Sequence, residues 1–379
     1  MLLVYAEKLY YPSFVDLPCN WQSYDYFVEQ VSKLDFSSSP GYPYLREAPT
    51  IGKWLRVDDL GNVNEVQLQR LWFDVQQLKT DWNHLFRVFV KDEPHKAQKI
   101  REGRWRLVMA ASLPVQMLWR ICFSHQNASL NSMPYSIPSA HGLVLCYGGW
   151  RRFKAHVATL GLDTSRDVSG WDVNAPGWVL DAVLRLRSRM GKVDSEWNSV
   201  TRLLYDDAFH HAKLLFSNGI VLQQQYSGTM KSGVFNTISD NSIAMVLLHI
   251  LACSRAGLKV TPIKAVGDDV IQRAMPEAYY HALTSFGCVV RDVQPIVEFM
   301  GTNFEDEPVP LYLYKHLFSV SYSTPETMES VLDSYMRLYS YSPFVEIWHT
   351  LADLLAIPHH SKSYYRFWYS SPLAGSMRI

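Results

Sequence analysis

The stretch "IKAVGDDVIQ", residues 263–272, sets two adjacent carboxylates between apolar residues of strand character. Gly-Asp is ordinary turn chemistry and the β-branched flanks suit short strands, so the stretch predicts a hairpin with Gly267, Asp268 and Asp269 at its turn. A Gly-Asp-Asp tripeptide arises by chance in roughly one chain of this length in ten. Its meaning therefore depends on its surroundings.

On its N-terminal side, "SDNSIAMVLLHILACSRAG" (239–257) carries helical spacing closed by Gly257. On its C-terminal side, "MPEAYYHALTSFG" (275–287) reads as a helix feeding the strand "CVVRDVQ" (288–294). Further upstream, "LGLDTSRDV" (160–168) reads as a strand ending at Asp167, and helical pattern resumes after Pro176 through "GWVLDAVLRLRSRM". Strand, helix, hairpin, helix, strand is the order of a small antiparallel α/β sheet covered by helices on one face. The second acidic cluster, "DVSGWD" (167–172), then falls on a neighbouring strand end. Converging carboxylates repel one another and favour hard divalent cations, and two such ions clamp the oxygens of a phosphoryl transfer.

The rest of the chain reads more coarsely. "LFRVFVK" (85–91) and "RWRLVMAAS" (104–112) look like paired strands, and the segment from Arg87 to Arg106 holds seven Lys or Arg against three Asp or Glu. Pro40, Gly41 and Pro43 in "SSSPGYPYL" make a rigid loop. Beyond Ser323 the chain reads as helical, with Thr324 as cap and Pro325 as first helical residue.

Nearly half of the 379 residues are apolar, 19% are charged and the formal net charge is zero. That composition describes an ordered protein of two or three packed regions, and it argues against a histone-like coat on nucleic acid. Five scattered cysteines without a C-x-x-C pair suggest neither a disulfide framework nor a zinc site. The opening "MLLVYAEKLYY" is too short for a signal peptide, and the run "IAMVLLHILAC" reads as too short to cross a bilayer. A soluble protein of a reducing compartment is expected.

Taken together, these residues resemble the ordered motifs of viral RNA-dependent RNA polymerases. Asp167 to Asp172 is similar to the D-x-x-x-x-D of motif A, "SGVFNTISDNS" (232–242) to motif B, and Gly267-Asp268-Asp269 to motif C. "VFVKDEPHKAQKIREGRWRLVMAASLPVQ" resembles motif F of the sobemovirus, polerovirus and barnavirus branch within the picornavirus-like supergroup, and "SSSPGYPY" resembles motif G. The resemblance runs from about Ser37 to about Lys315.

It implies an α+β right hand: fingers with a fingertip region over 1–159, palm over 160–190, a fingers insertion over 191–222, palm over 223–315 and thumb over 316–379. It implies template-directed RNA synthesis from NTPs, replicating a positive-strand RNA virus genome with two Mg²⁺ ions, for which Mn²⁺ can substitute. Asp167 and Asp268 would be catalytic metal ligands, with Asp269 an auxiliary one. Lys91 and Arg106 would meet the incoming triphosphate. Asp172, Ser232 and Asn241 would form a hydrogen-bond network to the ribose 2′-hydroxyl, with Thr237 beside them. Pro40, Gly41, Tyr42, Lys96, Lys99, Arg104 and Gly233 would contact RNA.

Expected partners are template and product RNA, NTPs, a genome-linked protein primer and other viral replication proteins, in membrane-associated complexes of the host cytoplasm that the chain contacts only indirectly. Two parts of the pattern depart from the family. Thr284 to Gln294 contains no lysine, only Arg291, so the proton donor of motif D is unassigned. Motif E is loosely matched by "VEFMGTNF" (297–304). The aromatic run "YYRFWY" (364–369) is expected to pack a small helical region, and His359 and His360 to lie at the surface. Two rival readings are a reverse transcriptase-like polymerase, which would exclude the 2′-hydroxyl and prefer deoxynucleotides, and a catalytically silent RNA-binding replication scaffold.

Overall fold

The computed structural model describes residues 2–376; position 1 and positions 377–379, the outer ends of the first and last expected regions, lie outside the described residues. Eleven strands form three sheets among the described residues. They are β1 (Phe86–Val90), β2 (Leu107–Ala110), β3 (Thr164–Val168), β4 (Lys213–Phe216), β5 (Val221–Gln223), β6 (Ile263–Val266), β7 (Asp269–Gln272), β8 (Val290–Gln294), β9 (Glu298–Phe299), β10 (Thr302–Asn303) and β11 (Val309–Pro310).

The expected antiparallel sheet is present in the order β6-β7-β3-β8. Its hairpin forms because Val266 pairs with Asp269 and leaves Gly267 and Asp268 as the two-residue turn, with Gly267 at φ +64°. Successive residues of a strand face opposite sides, and β3 follows that rule. Thr164, Arg166 and Val168 are buried, whereas Ser165 and Asp167 are only half-buried and line a cleft that Arg166 also borders. The register between β3 and β8 shifts at Asp167, an irregularity of the kind that re-aims a strand end. The strand starts later than its sequence suggests: Leu160 ends the helix Gly149–Leu160, and Gly161 closes that helix in the left-handed region.

Helices Thr237–Arg255 and Glu277–Ser285 pack together against this sheet. The apolar run expected to be too short for a bilayer lies in a 19-residue helix, long and apolar enough to span one. Every residue from Ser239 to Ile250 is buried, so its apolar surface is spent on the core. This helix sits at the centre of the main core, between the N-terminal helix Leu2–Tyr10 and helix Gly177–Arg187.

The second sheet has the order β2-β1-β4-β5, with β1 antiparallel to β2 and parallel to β4. The strands β4 and β5 were not expected, although Asn218-Gly219 between the apolar runs of 214–216 and 220–222 is a hairpin signal, and β5 is fully exposed. Helix Leu313–Val320 was also unanticipated and crosses the boundary expected between residues 315 and 316. Helix Pro325–Leu338 follows, with the expected Thr324 capping it in a capping box with Thr327. This last region has its own small core around Leu332, Met336, Trp348 and Tyr365. In the aromatic run, Tyr365 and Tyr369 are buried while Tyr364 and Phe367 remain exposed, and His359 and His360 lie at the surface.

Candidate active site

Asp167 of β3 and Asp268 of the β6–β7 turn line one cleft of about 450 Å³, together with Asp269, Arg291, Asp292, Glu298 and Tyr312. Burial pushes the Asp268 carboxyl up, Asp172 adds to the push, and Arg106 and Arg166 oppose it. Asp269 is pushed up to about 7 by burial, against the Met300 N–H, which its Oδ2 accepts at 2.6 Å. The two neighbours therefore differ: Asp268 stands at the turn, whereas one oxygen of Asp269 is already committed to backbone. Ser242 of the long helix accepts from Gly267 N at 2.9 Å and fixes the turn.

Among the described residues, no three His, Cys, Asp or Glu side chains form a preformed metal cage. Mg²⁺ is commonly held by one or two carboxylates, with waters and substrate phosphates completing its shell. Asp167 and Asp268 fit that requirement, and the burial that raises the Asp268 carboxyl, with the charge of Asp172 added, is a cost that a bound cation offsets. Asp167 is ion-paired with Arg291 of β8. Arg166, on the opposite face of β3, is buried with the sulfurs of Cys288 and Met245 as its neighbours.

The basic hairpin brings Lys91 and Arg106 together, since Lys91 N donates to Arg106 O at 2.8 Å. Both side chains are held by Glu93. Lys96 caps the short helix Ala97–Arg101, which contains Lys99, and Arg104 is ion-paired with Glu102. These three lie between β1 and β2, and none of them is ion-paired with Glu93 among the described residues.

The residues expected around the ribose do not bond one another among the described residues. Asn241 Oδ1 accepts from Trp171 Nε1 at 2.8 Å, because helix Thr237–Arg255 packs directly under the indole. Ser232 Oγ donates to Leu107 O at 3.3 Å, and Thr237 Oγ1 donates to Lys231 O and Val234 O. Asp172 is half-buried, and its backbone carbonyl accepts from Met230 N at 2.8 Å. What the geometry does bring together is the three motif regions: 167–172 and 230–241 through Trp171–Asn241, and 232–233 with β2 through Ser232 and the Ala110–Gly233 bridge. A Cβ on Gly233 would crowd the Met109 carbonyl, so glycine permits that approach.

The loop at Pro40 is tied to the start of helix Leu113–Ser132, where Leu113 N donates to Pro40 O at 2.8 Å. Gly41 has φ +69°, and a Cβ there would collide with the Ala111 carbonyl. Tyr42 beside it is half-buried.

Sequence reasoning missed Lys231, which is fully buried and bonds through Nζ to Gln224 Oε1 at 2.5 Å and Thr229 O at 2.9 Å. Burial pulls its ammonium down to about 7, against the charge of Asp207. Unfolded chains hold a lysine proton to about 10.4, so between these values the unfolded state binds more protons and stability rises with pH. Wild type is expected to gain up to about 1 kcal/mol per pH unit from pH 7.5 to 9.5 relative to Lys231→Met. Urea denaturation of both proteins across that range checks the difference, and parallel curves would refute it.

A family model described as "Viral RNA-dependent RNA polymerase" matches residues 5–285. The chain is 32% identical over 193 residues to an RNA-directed RNA polymerase of Mushroom bacilliform virus, covering 48% of this chain and 46% of that protein. It is 30% identical over 283 residues to protein P2-P3 of Poinsettia latent virus, covering 67% and 25% respectively. It is 29% identical over 311 residues to the replicase polyprotein P2AB of Southern cowpea mosaic virus, covering 75% and 31%. The matched stretches thus take up less than half of each of these relatives. In fold, the chain is similar to the Sicinivirus 3Dpol RNA-dependent RNA polymerase, with a TM-score of 0.73 at 16% identity over 95% of this chain and 87% of that one.

Proposed function

Because the chain belongs to the viral RNA-dependent RNA polymerase family, we propose that it synthesises RNA from nucleoside triphosphates on an RNA template, replicating a positive-strand RNA virus genome. The observation that carries this reading is the meeting of Asp167 and Asp268 in one cleft, from strands more than ninety residues apart in sequence. Divalent ions, Mg²⁺ in this reading, supply the acidification of a 3′-hydroxyl and the neutralisation of a leaving pyrophosphate. Asp167 and Asp268 would hold them, with the uncommitted oxygen of Asp269 as support. Arg291, ion-paired with Asp167, adds positive charge beside the acids, but its guanidinium does not serve as a proton donor. Lys91 and Arg106 bind the triphosphate, Arg106 being near enough to act on Asp268.

Asp172, beside Asp268, is the group that reads the ribose 2′-hydroxyl, with the amide nitrogen of Asn241 behind it. Residues 1–159 and 191–222 act as fingers, 160–190 and 223–315 as palm and 316–379 as thumb. Pro40, Gly41, Tyr42, Lys96, Lys99, Arg104 and Gly233 contact RNA. The polyprotein name of the Southern cowpea mosaic virus relative supports expecting other viral replication proteins as partners. A genome-linked protein primer and membrane-associated complexes in the host cytoplasm complete this reading.

The test is extension of a primed RNA template with ribonucleotides or deoxynucleotides. A site that hydrogen-bonds a hydroxyl rejects the analogue lacking it strongly, so ribonucleotides are expected to be favoured by at least about 100-fold. Preferred incorporation of deoxynucleotides would overturn the reading in favour of a reverse transcriptase.

A further inference from the structure

Glu93 lies two residues beyond Lys91 and gathers three cations. Its Oε1 accepts from Arg106 at 2.8 Å, and its Oε2 meets Lys91 Nζ at 3.3 Å and Lys315 Nζ at 3.2 Å. The Glu93 side chain is 13% exposed, whereas Lys91, Arg106 and Lys315 are 44%, 51% and 42% exposed. Among the described residues no other carboxylate pairs with any of the three. Three positive charges against one negative charge leave the cluster with two in excess. Burial opposes the Glu93 charge, but Lys315, Arg106 and Lys91 outweigh it and hold its carboxyl at about 2.

Two observations relate the cluster to the acidic cleft. Arg106 acts on Asp268, and Tyr312, three residues before Lys315, lines the cleft. Carboxylate and phosphate oxygens accept the same charge-assisted bonds from ammonium and guanidinium groups. We propose that Glu93 is an internal stand-in for phosphate, and that Lys91, Arg106 and Lys315 form one polyphosphate-binding site for which Glu93 and the ligand compete. The choice of a nucleoside triphosphate as natural ligand rests on the polymerase reading above.

Competition, not propping, decides the sign of the effect. Lys91 and Arg106 are held by backbone independently of the Glu93 carboxylate: Lys91 N donates to Arg106 O, and His95 bridges Glu93 O and Arg106 N through its two ring nitrogens. Removing the carboxylate charge therefore leaves the hairpin that carries Lys91 and Arg106 in place and their charges unneutralised. A merely structural Glu93 would give the opposite result.

The experiment is calorimetric titration of inorganic pyrophosphate into wild type, Glu93→Gln and Lys315→Gln in metal-free buffer without RNA. Glu93→Gln is expected to bind roughly two- to fivefold more tightly and Lys315→Gln more weakly by a similar factor, the size expected for half-exposed ion pairs. The tighter binding is also expected to depend more steeply on salt. Weaker or unchanged binding by Glu93→Gln, or unchanged binding by Lys315→Gln, would overturn the proposal. Should Glu93→Gln not fold, Lys315→Arg decides with Lys315→Gln: the arginine must keep wild-type affinity and the glutamine must lose it. A wild type that binds in this order but makes no RNA counts against the polymerase reading alone. One that makes RNA while Glu93→Gln binds more weakly counts against the present proposal alone.

Discussion

Asp268→Asn is expected to cut Mg²⁺-dependent extension of a primed RNA by on the order of 10³-fold or more, while Asp269→Asn loses roughly 10- to 100-fold. The substitution is nearly isosteric and leaves the Val266–Asp269 pairing, the Gly267 turn and its bond to Ser242 untouched. What it removes is one unit of negative charge at the turn, where a divalent ion needs it. Asp269 differs because its Oδ2 already accepts from Met300 N, a bond that an asparagine oxygen can also accept. Primed extension and Mn²⁺ binding followed by electron paramagnetic resonance check both variants. Extension within tenfold of wild type by Asp268→Asn would remove that residue from the machinery.

Asp240→Ala is expected to destabilise the fold by about 3–5 kcal/mol, the range for breaking a buried ion pair on one side. Asp240 and Arg187 are both buried, with Arg187 Nε donating to Asp240 Oδ1 at 2.7 Å. Tyr205 donates to the other carboxylate oxygen at 2.7 Å, and Arg187 also reaches Ser239, Gln126 and Asn127. Loss of the carboxylate leaves a guanidinium and a phenol facing each other in the core beneath the site. Urea denaturation measures the loss, and a change below about 0.5 kcal/mol, the ordinary surface range, would show that the network relaxes around the gap.

The palm-like sheet was legible because its acids interrupt apolar strands at places where only a turn or a site tolerates them, and Asp167 and Asp268 indeed line one cleft. Helix Thr237–Arg255 was legible from its spacing, but its role as buried centre was not, since composition gives the same run to a membrane span and to a core. Lys231 stands one residue before the quoted 232–242 motif and passed unnoticed, because lysine is normally a surface residue and its burial depends on Gln224 and Thr229 folding around it. Glu93 and Lys315 are 222 residues apart, and no local pattern relates them. The bond between Trp171 and Asn241 is of the same kind, joining two motifs that no local pattern relates. The strands β4 and β5 are short and β5 is exposed, so burial did not mark them, but Asn218-Gly219 between two apolar runs is a turn signal from which their hairpin could be read.

The parallel pairing of β1 with β4 also bears on how the chain is made. As it leaves the ribosome, β1 and β2 emerge together but lack their third strand until Lys213–Phe216 follows, after β3 has already been synthesised. β3 in turn waits for β7 and β8. The β2-β1-β4-β5 sheet is complete once Gln223 has been made, whereas β3 stays without its partners for about a hundred residues after its own synthesis, an unpaired strand carried through the middle of translation. The cationic cluster waits longest, because Lys315 follows every one of the described strands and joins Lys91 and Arg106 only after the acidic cleft has its sheet.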